Sequence, residues 1–248
     1  MQQDQKFNTA SRFAVRWFTP VAELPLCGHG TLAAAAAIFQ AGNQHQTLDF
    51  ETSKGLISVQ RLLEDNNGRP LMQLALPRSD CSADLPPGLN LNPMTVKTVV
   101  GDLPIQDIQY AEGVRNALIV LGSQVTRQQL ESLQPDLESM LCTFSKTHLK
   151  GVMVTCQGNV QPYHFLSRYF APWQGIAEDA VTGSAHTALG PYWASRLNML
   201  GQPMQARQCS KRGGDLQVTV HKGSNQVLLA SYAVMVSSGQ FNLTSVAE

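Results

Sequence analysis

Long apolar stretches are missing from this 248-residue chain. The longest uninterrupted run, Leu32 to Phe39, falls far short of the roughly 20 residues that a membrane-crossing helix needs, so no membrane segment is expected. An excess of charge of one sign is missing too, because 18 Lys and Arg balance 18 Asp and Glu. With neither a basic stripe nor an acidic tail, nucleic acid and anionic membrane surfaces are not expected as partners. Cysteine is sparse and odd in number: five residues, with no Cys-x-x-Cys pair. That pattern argues against a disulfide framework and a zinc knuckle, and for a reducing, cytoplasmic setting. The opening segment MQQDQKFNTASRF has no apolar signal core. His45, His148, His164 and His221 show no metal-ligand spacing, and the acceptor pattern Asn242-Leu243-Thr244 carries no meaning in a cytoplasmic protein.

What the chain does contain is a repeat. Phe13 to Pro20 reads FAVRWFTP, and Phe165 to Pro172 reads FLSRYFAP. Each copy is an aromatic-rich strand pattern that leads through a short loop containing a Glu to a Gly-rich corner. The corners are Cys27-Gly28-His29-Gly30 and Asp179-Ala180-Val181-Thr182-Gly183-Ser184, and each opens an Ala-containing apolar helix. Further on, ETSKGLISV parallels QCSKRGGDLQV, a strand, a Ser-Lys-Gly or Ser-Lys-Arg turn and a second strand. The offset is 152 residues between Arg16 and Arg168 and 157 between Ser53 and Ser210. Two copies are too few for a solenoid, so two related lobes are expected.

Between these landmarks, LISVQRLL and PLMQLALP flank an Asn66-Asn67-Gly68 turn, a hairpin signal. Ser79 to Asn92 reads as loop. IQDIQYA, NALIVLG, GVMVTC and VLLASYAVMV read as strands. Thr126 to Cys142 reads as a helix interrupted at Pro135. The lobes are placed at 1–102 and 103–236, with a tail at 237–248 returning to the first lobe. The second lobe has a long run of chain before FLSRYFAP, whereas the first has 12 residues before FAVRWFTP. The chain therefore reads as an N-terminally short version of a longer protein, with one sheet edge left unpaired.

The corners suggest chemistry. A glycine turn entering a helix directs backbone N–H groups and the positive end of the helix dipole outward, a setting suited to a carboxylate or a developing enolate-like anion. Titratable groups flank them: Cys27 and His29 at the first, Glu178 and Asp179 at the second. Acid/base groups on two sides of one carbon are what proton abstraction and return require.

ELPLCGHGTLAAA and AEDAVTGSAHTALGPYW, together with RWFTP, SRYFAPW and CSKRGG, resemble the signature segments of the phenazine-biosynthesis PhzF-like isomerase family. The resemblance runs from about Arg16 to the end. It implies an α+β fold of the diaminopimelate epimerase-like type: two pseudo-symmetric lobes, each wrapping strands around a central helix, with the active site between them. It also implies a cofactor-independent isomerase or epimerase, without metal or organic cofactor, that moves a proton on a small carboxylate-bearing metabolite. His29 and Asp179 match the family's proton-handling positions, and Gly28, Gly183 and Ser184 its substrate-binding donors. Cys27 matches a catalytic thiol of the epimerase. The family's principal acid/base is a Glu in a segment like SETxF ahead of the RWFTP strand, and no such segment occurs in this sequence. The family often dimerises, so a homodimer is compatible with the resemblance.

Blander readings stand beside these. His29 and Ser184 could cap helices, Asp179 could satisfy N–H groups at a helix entry, and Cys27 could be a small buried apolar residue. Arg16 and Arg168 read as structural ion-pair partners at the lobe interface, and His186 as packed. Three functions stay open: the proton-moving isomerase, a non-catalytic binding or regulatory protein that keeps the cleft and acts through protein partners, and a thiol-dependent racemase using Cys27.

Overall fold

Alternating apolar positions along the strands place one sheet through both halves of the chain. The computed structural model describes residues 4–19, 23–24, 26–53, 55–64, 69–144 and 148–239. The first half runs α1 (Asp4–Thr9), β1 (Arg12–Ala14), β2 (Trp17–Phe18), β3 (Glu23–Leu24), α2 (Gly28–Gln40), β4 (Thr47–Thr52), β5 (Gly55–Glu64) and β6 (Pro70–Pro77). There follow β7 (Cys81–Ser82), α3 (Pro93–Val100), β8 (Ile105–Ala111), β9 (Asn116–Leu121), α4 (Arg127–Ser132), α5 (Leu137–Thr143), β10 (Gly151–Gln157) and β11 (Phe165–Phe170). The chain then enters α6 (Gly183–Arg196), β12 (Met204–Gln208), β13 (Gly214–Val220) and β14 (Gln226–Tyr232).

The internal repeat is visible in the pairing. β1 lies parallel to β4, and β11 lies parallel to β12. In each half two antiparallel neighbours follow, β5 and β6 in the first, β13 and β14 in the second. Each half inserts its central helix, α2 or α6, between the first and second of these strands. The halves join where β6 and β14 pair antiparallel from Pro77↔Gln226 to Leu71↔Tyr232. The expected pair of pseudo-symmetric lobes wrapped around central helices is the architecture observed.

The lobes differ in how far the wrapping goes. β11 is held on both sides, by β10 and β12, and FLSRYF is one continuous strand. Among the described residues β1 ends the sheet. With a ladder on one side only, FAVRWF breaks after Ala14, and Trp17-Phe18 turns away to pair with Glu23-Leu24. Helix α6 is buried from Ala185 through Ala194, with Trp193 stacked on Phe165 at 5.9 Å and its indole N–H donated to Thr155 Oγ1 at 3.0 Å. Helix α2 buries only Gly28, Thr31, Ala35, Ile38 and Phe39.

A second apolar cluster fills the space under β8–β11, where Val96, Val99 and Val100 of α3 meet Leu130 and Met140 of α4 and α5. β7 pairs with β8 through Cys81↔Ala111. The apolar face of α3 is answered by α5 and its neighbours in this cluster. Helix α3 begins inside no predicted element, although Asn92 caps it by accepting from the N–H groups of Met94 and Thr95, with Pro93 in its first turn. The helix expected over 126–142 is two helices, divided around Pro135. Thr126 and Gln129 cap the first reciprocally, and Asp136 caps the second. The Asn66-Asn67-Gly68 turn, Lys54, Pro20 and residues 240–248, including Asn242, lie outside the described residues. Among those described, no helix is long and apolar enough to cross a membrane. The five cysteines are free, and burial pushes the Cys156 thiol up to about 12 and Cys209 to about 11.

Candidate active site

Both central helices point their N-termini at one cleft. Cys27 is the N-cap of α2 and Thr182 the N-cap of α6, and neither makes a side-chain capping bond. The first-turn N–H groups of both helices are thus left without a side-chain acceptor. The two N-caps are alike in another way: the Cys27 carbonyl accepts the Thr31 hydroxyl at 2.7 Å, and the Thr182 carbonyl accepts His186 Nδ1–H at 2.8 Å. Gly28 and Gly183 then meet backbone to backbone, so that a Cβ on Gly28 would lie 3.4 Å from the Gly183 Cα. Leu76 of the seam strand β6 lies beneath both. The absence of side chains at both positions lets the two helix starts approach this closely.

A cavity of about 600 Å³ opens over this junction, within the range of a small-molecule site. Gly28, His29, Asp179, Gly183 and Ser184 all line it, and so does Cys27. The residues expected to act together are therefore brought together. His29 crosses between the lobes: Nδ1–H donates to the Val181 carbonyl at 2.9 Å, while Nε2 lies 3.4 Å from Cys27 Sγ. The hydrogen bond with Cys27 is the largest influence on this imidazole. Burial opposes it, while the fields of Cys27 and Asp179 and the Val181 carbonyl add to it. Together they hold His29 at about 9, above the ordinary 6.5.

Asp179 does not satisfy helix N–H groups. Its Oδ2 accepts the Thr182 hydroxyl at 2.5 Å, and its own N–H is fixed on the Tyr169 carbonyl at 3.0 Å. Fully buried Gln208 orders this pair. Its Oε1 accepts Thr182 N–H at 2.8 Å, and its Nε2 donates to the Asp179 carbonyl at 2.7 Å and to Thr182 Oγ1 at 3.1 Å. Because Thr182 Oγ1 receives a hydrogen from Gln208, its own hydrogen points onward to Asp179. One carboxylate oxygen is thereby fixed as an acceptor, and the other is left to the cavity.

The remaining titratable candidates are structural. Glu178 holds Arg168 in a bidentate pair, Nε to Oε1 at 2.6 Å and Nη2 to Oε2 at 3.0 Å. Arg168 Nη1 also donates to the carbonyls of Leu130, Glu131 and Leu133 at the end of α4. Arg16 and Glu23 repeat the same bidentate geometry at 2.8 and 2.7 Å in the first lobe. Both arginines are ion-paired as expected, but each pair closes within its own lobe and does not bridge the two. His186 is packed, and burial pushes it down to about 4. Sequence reasoning did not single out Thr182, Gln208, Trp17 or Lys150. Thr182 stood inside the recognised corner and Trp17 inside the RWFTP segment; Gln208 and Lys150 lie far from the corners in sequence and reach the site only through folding.

The family model described as phenazine biosynthesis-like protein, PhzC-PhzF, matches residues 4–239. Phenazine biosynthesis-like domain-containing protein 1 of Mus musculus is 38% identical over 244 residues, covering 96% of this chain and 81% of that one. An uncharacterized isomerase of Pseudomonas aeruginosa is 36% identical over 231 residues, covering 93% and 78%. The crystal structure of a PhzF-family phenazine biosynthesis protein from Enterococcus faecalis superposes with a TM-score of 0.74 at 31% identity, covering 93% of this chain and 78% of that one. These similarities support a function of the isomerase type.

Proposed function

Because the chain belongs to the phenazine biosynthesis-like protein family, PhzC-PhzF, we propose that it is an isomerase that moves a proton on a small carboxylate-bearing molecule without a cofactor. One observation carries this reading: two uncapped helix N-termini meet at a single cavity, with His29 on one side and Asp179 on the other.

The open N–H groups of both first turns bind the substrate carboxylate and stabilise the extra negative charge that appears when the adjacent C–H is broken. The cavity-facing oxygen of Asp179 takes the proton from carbon. Thr182, held by Gln208, keeps the other oxygen in place. His29, protonated up to about pH 9, returns a proton from Nε2, while its Nδ1–H stays anchored on Val181. The double bond or the configuration is reset when that proton arrives at carbon, and solvent re-protonates His29 as Asp179 releases its proton.

The test is solvent exchange. Small carboxylates incubated with the protein in deuterated water should acquire deuterium at carbon, detected by proton NMR. Asp179→Asn should slow this by about 10²-fold or more, and His29→Asn should slow it less steeply. Exchange by Asp179→Asn at the wild-type rate would falsify the assignment of Asp179 as the base.

A further inference from the structure

We infer that Thr31 and His186 are paired positioning residues, each locking the peptide plane that aims one corner's glycine N–H at the ligand carboxylate. The inference rests on the corners being the site of that carboxylate.

The peptide unit is planar, so a carbonyl and the N–H across its C–N bond point in opposite directions. The Cys27 carbonyl therefore sets the direction of the Gly28 N–H, and the Thr182 carbonyl that of the Gly183 N–H. At a helix start the carbonyl points into the helix and the N–H points out of its end. An ordinary helix start holds this carbonyl by one backbone N–H. Here each carbonyl is held twice. That of Cys27 accepts Thr31 N–H at 3.0 Å and the Thr31 hydroxyl at 2.7 Å. That of Thr182 accepts His186 N–H at 3.3 Å and His186 Nδ1–H at 2.8 Å. In both corners the side-chain bond is the shorter. A second donor also polarises the amide, which makes its N–H a stronger donor in turn.

The repeat puts these two side chains at one position. Thr31 and His186 are 155 residues apart, as are Gly28 and Gly183. Both are fully buried, and neither lines the cavity. A threonine bonding back to the carbonyl four residues earlier is common inside helices. Packing does not account for the imidazole. Its Nδ1 carries the hydrogen, because a carbonyl can only accept, and its Nε2 is left buried with no partner among the described residues. A phenyl ring would fill the same space beside Phe165 without stranding a nitrogen. Burial also pushes the ring down to about 4, so it is neutral at ordinary pH and keeps this tautomer. What the imidazole supplies and a phenyl ring cannot is the hydrogen on the Thr182 carbonyl. Two unlike side chains, a hydroxyl and an imidazole, thus make one bond at equivalent places in the two corners.

The probe is butyrate, titrated into the whole chain carrying isotopically labelled glycine. Affinity is read by calorimetry, and hydrogen bonding by the proton shifts of the Gly28 and Gly183 amides. In the wild type both amides should move downfield as butyrate binds. Thr31→Val keeps the shape and deletes the donor. It should weaken butyrate about threefold or more and reduce the Gly28 shift, leaving that of Gly183 largely intact. His186→Phe should do the converse. Thr31→Ser and His186→Asn keep a donor at the same place and should recover both readings. Thermal melting separates a lost donor from a lost fold, and the isosteric Thr31→Val carries the test should His186→Phe not fold. Wild-type affinity and shifts in the donorless variants overturn the inference and leave the carboxylate corner standing. Equal losses from Thr31→Val and Thr31→Ser assign Thr31 to packing and overturn it as well. If butyrate moves neither amide in the wild type, the corner reading fails, and this inference with it.

Discussion

Gly28 and Gly183 face each other in close backbone contact: a Cβ on Gly183 would stand 3.3 Å from the Gly28 Cα, and one on Gly28 3.4 Å from the Gly183 Cα. Their contact brings two helix ends that are 155 residues apart in sequence onto one anion. The neighbour on each side is backbone, which cannot swing aside as a side chain can. Gly28→Ala and Gly183→Ala should each destabilise the fold by about 1–3 kcal/mol in denaturant unfolding. Each should also weaken carboxylate binding, because the two sets of N–H groups are pushed apart. Wild-type stability and binding in both variants would show that the corners are looser than this contact implies.

The two Arg–Glu pairs share a geometry but not a weight. Arg168 and Glu178 have side chains only 7% and 19% exposed, and Arg168 also ties down the end of α4. Glu178→Gln strands a buried guanidinium charge and should cost about 3–5 kcal/mol by chemical denaturation. Arg16 and Glu23 are solvated, at 68% and 39% exposure, and Glu23→Gln should leave the unfolding midpoint within error. Equal losses from the two substitutions would contradict this division.

His29 links pH to both charge and stability. Its folded value of about 9 lies above the ordinary 6.5. Its stabilising contribution is therefore complete below about pH 6.5 and is lost as pH rises through about 9. Cys27→Ala removes the leading cause of that shift. Imidazole proton resonances followed by NMR should place the His29 midpoint near 9 in the wild type and closer to 6.5 in the variant. A midpoint unmoved by the substitution would assign the shift to Asp179 and Val181 instead. The same variant tests the thiol-dependent reading, since persisting deuterium exchange in Cys27→Ala removes Cys27 as an obligatory proton carrier.

Gln208 touches no part of the cavity, yet it orients the Thr182 hydroxyl that holds Asp179. Gln208→Leu should lower the exchange rate constant by about tenfold or more while leaving the affinity for a carboxylate probe unchanged. A parallel loss of affinity would mean that Gln208 supports the corner generally rather than the base. Thr182→Val, which deletes the relayed hydroxyl itself, should match the Gln208→Leu rate and not add to it in the double variant.

Much of this arrangement is legible in the order of residues, because the duplication writes the same local signals twice. FAVRWFTP and FLSRYFAP mark equivalent strands, and the Gly-His-Gly and Thr-Gly-Ser corners mark equivalent helix starts, so Cys27, Gly28, His29, Asp179, Gly183 and Ser184 could be named in advance. Local signals do not extend to contacts made by folding. Gln208 reaches Thr182 from a strand 26 residues further along, and Lys150 reaches the cavity only because β10 is laid between β9 and β11. The placement of α3 was illegible for a related reason: its apolar face is short, and which lobe answers it depends on where α5 packs. The break in FAVRWF was hidden by its likeness to FLSRYF, since the difference lies in the neighbouring strands and not in the segment.

The seven-residue seam between β6 and β14 has a kinetic consequence. Two bodies joined by a short tether can gape and shut like a clam, but two bodies sharing an unbroken hydrogen-bonded ladder cannot do so without tearing it. The β2–β3 hairpin stands outside the main sheet and contributes Trp17 and Phe18 to the cavity lining. Relative motion of the two halves has to bend the β6–β14 ladder, and the floor on which Gly28 and Gly183 meet stays joined throughout.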